Sequence, residues 1–461
     1  MLMINLFLDY SKPRWAVIDR HMAKMQIVVI GGGAAGFFGA VHAAQSHSHV
    51  MLLEAGRQPL AKVRISGGGR CNVTHHCFEA SQLVQNYPRG GKALRGAFSR
   101  FQPLDVVNWF RAEGVQLKTE ADGRMFPVTD DSETIVETLM RAARKAGVEI
   151  RTNVPVHRVE KLEYGKFQLT LKSGEIILSD RLLLATGSSP SGYAIARSLG
   201  HEIEPPVPSL FTFNIKDKQL HELAGVSVNP VNVKLVSKVN SHLTVDASST
   251  QNKQQNKPQN KQQNKPQNQL EQLGALLITH WGFSGPAILK LSAWAARELY
   301  DCNYQSKLLV NWLPDLKLEA IKQNLLKVKA EQPKKFIANY CPLAISLRLW
   351  EYLLLKAAIA PDTRWADLSN RSIQQLGNIL SASEYAIAGK GAFKEEFVTC
   401  GGIRLADVNF QTMESKICQG LFFAGEVLDI DGVTGGFNFQ SAWTTAWIAA
   451  QAMQSFAKTG A

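Results

Sequence analysis

The chain has 461 residues, 45% of them hydrophobic and 20% charged, which excludes a disordered or fibrous protein and leaves room for two or three domains. The net charge is +12, yet four lysines (Lys253, Lys257, Lys261, Lys265) sit in one low-complexity tract. The rest are scattered, with no Arg/Lys stripe interleaved with aromatics, which argues against a nucleic-acid groove. Six cysteines at irregular spacing exclude a disulfide scaffold and fit a reducing cytoplasm, and without an apolar run of about 18 residues no transmembrane helix is predicted.

Residues 1–24 are apolar at Met1–Leu8 but broken by Asp9, Lys12 and Arg14, with no small-residue cleavage pattern. They are expected to be a disordered leader or an over-long start, the first strand following directly after Met22 and Met25. Gln26–Ile30 is a β-branched apolar run, the pattern of a buried parallel strand. It leads into Gly31-Gly32-Gly33-Ala34-Ala35-Gly36, in which Gly31, Gly33 and Gly36 fill the glycine places of G-x-G-x-x-G. A small-residue helix, Ala34–Ala44, follows, and its N-terminal N–H groups suit a phosphate. A second strand, Val50–Leu53, ends in Glu54, the position from which an acid binds a ribose hydroxyl, with Ala55 beside it. Strand, glycines, helix, strand and acid in register predict a dinucleotide site, with Gly31, Gly33, Ala34, Ala35 and Gly36 around its pyrophosphate.

Ala55–Thr74 reads as a loop. Ser66, Gly67, Gly68, Gly69, Arg70, Cys71 and Asn72 bring a hydroxyl, a guanidinium and backbone N–H groups together, which suits an anion or a polar cofactor ring. Cys71, His75, His76 and Cys77 are close in sequence. Their spacing matches no zinc pattern with a second ligand pair, and five residues rather than four separate the cysteines, so neither a metal nor a redox dithiol is expected. Pro103–Glu113 and Ser132–Ala146 read as amphipathic helices, Gly147–Thr152 as a third strand and Arg158–Leu178 as a meander. Arg181–Gly187, RLLLATG, is a buried strand that ends at Thr186 and Gly187.

Pro205, Pro206 and Pro208 mark a boundary, after which Leu210–Ile215, Val226–Val236 and Gly274–Thr279 are strand-like. Gln251–Asn268 repeats QNKQQNKP without an apolar residue and is expected to be a disordered insertion. A turn, His280–Pro286, precedes a helix over Ala287–Leu299, and Pro314–Gly377 is predominantly helical with solvated charged faces. Phe397–Ile403 is a strand and turn. Gly420–Glu426 is a buried strand ending in Gly425 and Glu426, at the edge where α/β sheets bind ligands. Asp429, Asp431, Gly435, Gly436 and Phe437 follow, then a helix to about Met453 whose N-terminus would stabilise negative charge. The domains expected are 25–204 with 395–455, a β-rich domain at 205–313 with 378–394, and a helical subdomain at 314–377.

VVIGGGAAG, SGGGRCN, LLLATG, THWGFSGPAIL, EEFVTCGGI and LFFAGEVLDIDGVTGGFNFQSAW together resemble the BaiN/YhiN-like family of FAD-dependent bacterial oxidoreductases, over about Gln26 to Ala450 apart from the Gln/Asn/Lys tract. The resemblance implies an α/β fold: a discontinuous Rossmann-type FAD-binding domain of the two-dinucleotide-binding-domain flavoprotein class, a β-barrel-like second domain and a helical insert. It implies FAD as cofactor. On that reading Glu54 binds the adenosine ribose, Glu426 meets the ribityl chain or phosphates, and Thr186, Gly187, Gly425 and Asp431 lie along the cofactor. Gly435, Gly436 and Phe437 lie near the isoalloxazine, and Arg70, Cys71 and Asn72 are the candidates for its reactive face. The flavin would be reduced by NAD(P)H or a protein donor and reoxidised by a small-molecule substrate or acceptor that the sequence does not identify. A second G-x-G-x-x-G for NAD(P)H is absent, since Gly187–Gly192 does not fit. The alternatives are an RNA-modifying flavoenzyme, and a flavin-binding sensor without turnover.

Overall fold

The computed structural model describes residues 24–44, 48–236, 270–391 and 398–455. Residues 1–23 of the expected leader and the whole 251–268 insertion lie outside them. The buried run Gln26–Ile30 is the middle one of the five parallel strands in a seven-stranded sheet. On one side it pairs in parallel with His49–Leu53, which pairs with Glu149–Arg151. On the other it pairs with Arg181–Leu184, which pairs with Leu421–Phe423. Chain from the start and the end of the sequence thus builds one sheet. Two short antiparallel strands, Val408–Asn409 and Glu414–Ser415, extend its edge.

The first helix, Ala34–Ala43, and the last, Phe437–Ser455, pack side by side on this sheet. Phe38 meets Trp443 at 5.2 Å between ring centroids. The meander forms a separate three-stranded sheet of Val156–Lys161, Phe167–Leu171 and Ile176–Ser179.

The prolines that mark a boundary in sequence lie inside a strand. Ile203–Ser209 pairs antiparallel with Val398–Ile403, and the register slips between Glu204 and Val207, where Pro205 and Pro206 sit. A bulge tolerates residues that lack an N–H. This ribbon leads into a closed six-stranded barrel made of Phe213–Ile215, Gly282–Ser284, Glu271–Thr279, Ser227–Val236, Gln305–Asn311 and Ser383–Lys390. The helix expected over Ala287–Leu299 is two, Pro286–Trp294 and Ala296–Asp301, broken at Ala295. Three helices, Leu318–Glu331, Leu347–Lys356 and Asn370–Ala382, pack on the barrel. They share one continuous apolar core with it, including Phe213, Phe283, Trp312, Trp350 and Trp365. Among the described residues, no helix is long and apolar enough to cross a membrane.

Candidate functional site

The site forms where the parallel strands end. Gly31 and Gly36 are there because backbones touch. A Cβ on Gly31 would lie 2.4 Å from the Ala185 carbonyl oxygen, and one on Gly36 1.8 Å from that of Gly31. Gly33 differs: it is the N-cap of the first helix, no side chain caps it, and a Cβ there would meet nothing within 4 Å. The N–H groups of Ala34, Ala35 and Gly36 have no acceptor within the helix, so the positive end of its dipole faces open space.

Glu54 lies under this turn. Its Oε2 accepts from the Gly32 N–H and its Oε1 from the Gly56 N–H, both at 2.7 Å. Ala55, between them, is exposed. A Cβ on Gly32 would sit 2.9 Å from the Glu54 Cβ as well as 2.8 Å from its Oε2, so the variable place of the motif also favours glycine. Sequence reasoning missed that, although three consecutive glycines carried the signal.

The next wall comes from Thr186, Gly187 and Glu426. The Thr186 hydroxyl is buried without a hydrogen-bond partner. Glu426 accepts from Lys62 Nζ at 2.7 Å through Oε2, and from the Thr399 N–H at 3.0 Å through Oε1. A Cβ on Gly187 would come within 3.6 Å of Glu426 Oε2. Gly425 abuts Ala35 so closely that a Cβ would be 2.8 Å from the alanine's, which brings the C-terminal block against the first helix. Lys62 belongs to no quoted motif and Thr399 lies within EEFVTCGGI, yet nothing in the sequence singled out either side of this pairing.

The segment read as a loop begins as a helix at Ala61 and leaves helical geometry at Ser66, with Gly67, Gly68 and Gly69 at positive φ. Space beside Gly68 and Gly69 is open. The next residues diverge. Asn72, with its amide oriented to satisfy both neighbours, donates to the Thr74 carbonyl at 3.0 Å and accepts from the Gly436 N–H at 2.9 Å. It therefore ties SGGGRCN to the C-terminal glycine pair. His75 adds a second tie: its ring is stacked on Phe437 at 4.5 Å, and Nδ1 lies 2.9 Å from the Gly435 carbonyl oxygen. Burial lowers the pKa of His75; Gly435 and Asp122 oppose this, and Lys290 and His76 add to it.

Four sequence-predicted site residues have their side chains engaged within the protein. Arg70 turns away to stack on the Phe126 ring at 4.1 Å and to pair with Glu120 at 2.7 Å and Asp130 at 3.5 Å. Cys71 is fully buried and its thiol is pushed up to about 12 by that burial, which makes it a poor nucleophile. Asp431 is also fully buried, and Arg89 donates to both its oxygens while the Ser209 hydroxyl donates to Oδ2. That leaves it no exposed oxygen for a ligand. The Phe437 ring, 3% exposed, is packed between His75 and Tyr87, so only its backbone stands at the helix entrance. All six cysteines are free, and among the described residues no group of three or more His, Cys, Asp or Glu could hold a metal ion.

The HI0933-like protein Rossmann domain matches residues 25–452. The chain belongs to that family. The chain is 30% identical over 442 residues to the ribosomal RNA dihydrouridine synthase of Escherichia coli (strain K12), covering 93% of this chain and 98% of that one. It is 28% identical over 446 residues to the 3-dehydro-bile acid delta(4,6)-reductase of Clostridium scindens, with the same coverage of 93% and 98%. Among solved structures, an open conformation of a flavocytochrome c3 fumarate reductase aligns with a TM-score of 0.48 at 15% identity, over 94% of this chain and 78% of that one.

Proposed function

We propose that the protein is an FAD-dependent oxidoreductase that saturates a carbon–carbon double bond conjugated to a carbonyl, using electrons from NAD(P)H or a protein donor. The observation that carries this is the open, uncapped helix N-terminus at Gly33, with Glu54 beneath it and the Gly435–Gly436 turn tied to it through the C-terminal block. The residues present fit a flavin dinucleotide: open space at Gly33, Gly68 and Gly69, and an orphaned buried hydroxyl on Thr186. Gly33, Ala34, Ala35 and Gly36 would hold the pyrophosphate. Glu54 would hold the ribose, since each carboxylate oxygen keeps a second lone pair beside its bond to Gly32 or Gly56. Glu426, oriented by Lys62 and Thr399, would meet the ribityl chain or phosphates. FAD, when bound, supplies the two-electron chemistry. The chain's own residues position it: Asn72 and His75 hold the turn at Gly435–Gly436, where the last helix begins and favours negative charge.

The reaction class is supported by the two curated relatives, whose names describe saturation of uridine and of the delta(4,6) bonds of a 3-dehydro-bile acid. A second reading narrows the substrate to a uridine within RNA. It is favoured by the 30% identity to the dihydrouridine synthase.

The test is an anaerobic visible spectrum of the purified protein with NADH or NADPH, followed by a conjugated enone or a uridine-containing RNA. Bleaching by the nucleotide and recovery on adding one acceptor are expected. A flavin spectrum that no donor and acceptor pair cycles would point to a sensor. No flavin after reconstitution would overturn the reading. Glu54→Ala is expected to lower the flavin content of the purified protein at unchanged yield; equal content would remove the ribose role.

A further inference from the structure

The charged face of the helical segment is more organised than its sequence suggests. Residues 314–377 carry ten Lys and Arg against six Asp and Glu, which reads as ordinary solvated surface. The fold gathers part of that charge around two rings. Phe336 and Tyr340 are 40% and 39% exposed. Arg364 lies over the Phe336 ring at 5.7 Å, and Lys335 Nζ lies over the Tyr340 ring at 5.0 Å. In the other cation–ring contacts of the described residues the ring is buried or half-buried, as at Phe126, Phe167 and Tyr385.

These residues stand on a rigid base. The loops 332–340 and 361–367 are joined by backbone hydrogen bonds: the Ile337 N–H donates to Thr363 at 2.9 Å, the Trp365 N–H to Lys335 at 3.0 Å and the Ala366 N–H to Pro333 at 2.9 Å. Beneath them Trp350 and Trp365 are fully buried and stacked, and Trp350 Nε1 donates to the Ile337 carbonyl at 2.8 Å. The exposed rings are therefore pre-positioned, and a ligand need not order the loops on binding. Lys334, Lys335 and Arg364 form no ion pair among the described residues, and the loops' own acids, Asp362 and Asp367, leave them unpaired.

We propose that this face, built from Lys334, Lys335, Phe336, Tyr340 and Arg364, is a docking platform for unpaired RNA. Each ring keeps exposed surface besides the face its cation covers, against which bases stack without sequence preference, and cations that have no ion pair meet the phosphates. A duplex would hide its base faces from these rings. The proposal rests on the second reading above, that RNA is the substrate, and adds a holding surface on the barrel half, apart from the residues that would bind FAD.

The experiment uses the full-length flavoprotein and a short fluorescent oligouridylate, with fluorescence anisotropy read over a salt series. F336A/Y340A is expected to weaken binding by about tenfold or more, as loss of base–aromatic stacking does. K334Q/K335Q is expected to lower the slope of log affinity against log salt by about 1.4, from about 0.7 per phosphate contact on a single strand. Both variants should keep the parent's flavin content and melting temperature, which shows that the fold is intact. Parent-like RNA binding by both variants would overturn the platform and leave RNA as the substrate. No binding of the oligouridylate by the parent at low salt would overturn platform and RNA reading together, while flavin reduction would still test the oxidoreductase. Platform-dependent binding to phosphatidylserine vesicles with none to RNA would overturn the proposal in favour of a lipid surface.

Discussion

In the half built on the seven-stranded sheet, close contacts are made by leaving side chains out. Gly36 lets the first helix rest on the Gly31 carbonyl, and Gly31 lets that turn rest on Ala185. The barrel half has such an approach where Gly282 meets the Phe213 carbonyl, but its core is made by filling space, with Phe213, Phe283, Trp312, Trp350 and Trp365 fully buried or nearly so. The difference follows from what each half presents to a ligand. A phosphate-rich cofactor is held by backbone N–H groups, so the chain must reach it bare. The barrel half exposes no such turn in its core, and what it offers a partner lies on its surface.

The comparison can be broken first at the seam. Asp431 of the sheet half bonds Arg89 and Ser209, which ends the ribbon leading to the barrel. Asp431→Ala would leave a buried guanidinium unpaired and is expected to cost about 3–5 kcal/mol in urea unfolding. A loss below about 1 kcal/mol would mean that the acid is not structural. Trp365→Ala tests the filled core. It is expected to cost about 3–5 kcal/mol while the flavin bound per folded chain is unchanged. A drop in that ratio would tie the two halves more closely than their separate cores imply.

His42 gives the sheet half a pH signature. Burial lowers it from 6.5 to about 4, partly offset by its bond to the Phe38 carbonyl. The unfolded chain takes up this proton near pH 6.5 and the folded chain only near pH 4. Stability from this site is therefore complete above about pH 6.5 and is lost as pH falls towards 4, by about 3 kcal/mol in total. In His42→Leu the acid-side slope of stability against pH should flatten within that window; an unchanged slope would assign it to other groups.

The smallest effects sharpen the contrast within one motif. Gly36→Ala is expected to destabilise by about 1–3 kcal/mol, because the added methyl must displace backbone. Gly33→Ala, with open space, is expected to shift stability by no more than about 0.5 kcal/mol and to reduce flavin retention instead. Equal thermal shifts for both would contradict the distinction between packing and ligand approach.

Much of the fold was legible because it is written locally. The parallel strands cited are β-branched or leucine-rich runs, the first ended by Gly31 and the second by Glu54 in register. The meander and the amphipathic helices Pro103–Ala112 and Glu133–Lys145 also follow period and turn chemistry. Pro205 and Pro206 stand where the chain passes from the sheet half towards the barrel, but that they lie at a bulge inside a strand was not legible.

The site was legible only where backbone chemistry sets it. The glycine turn, its helix and Glu54 came from spacing alone. What separates Asp431 from Glu426 did not: they lie five residues apart in one acidic, glycine-rich block, yet one is sealed beneath Arg89 and the other faces Lys62 and Thr399. Cys71 and Asn72 are adjacent, yet one points into the core and the other bonds Gly436. Sequence determines local backbone preference, through strand period and glycine conformational freedom. Whether a polar side chain ends up buried, paired or open to a ligand depends on groups tens to hundreds of positions away, and only the tertiary packing brings those partners within bonding distance.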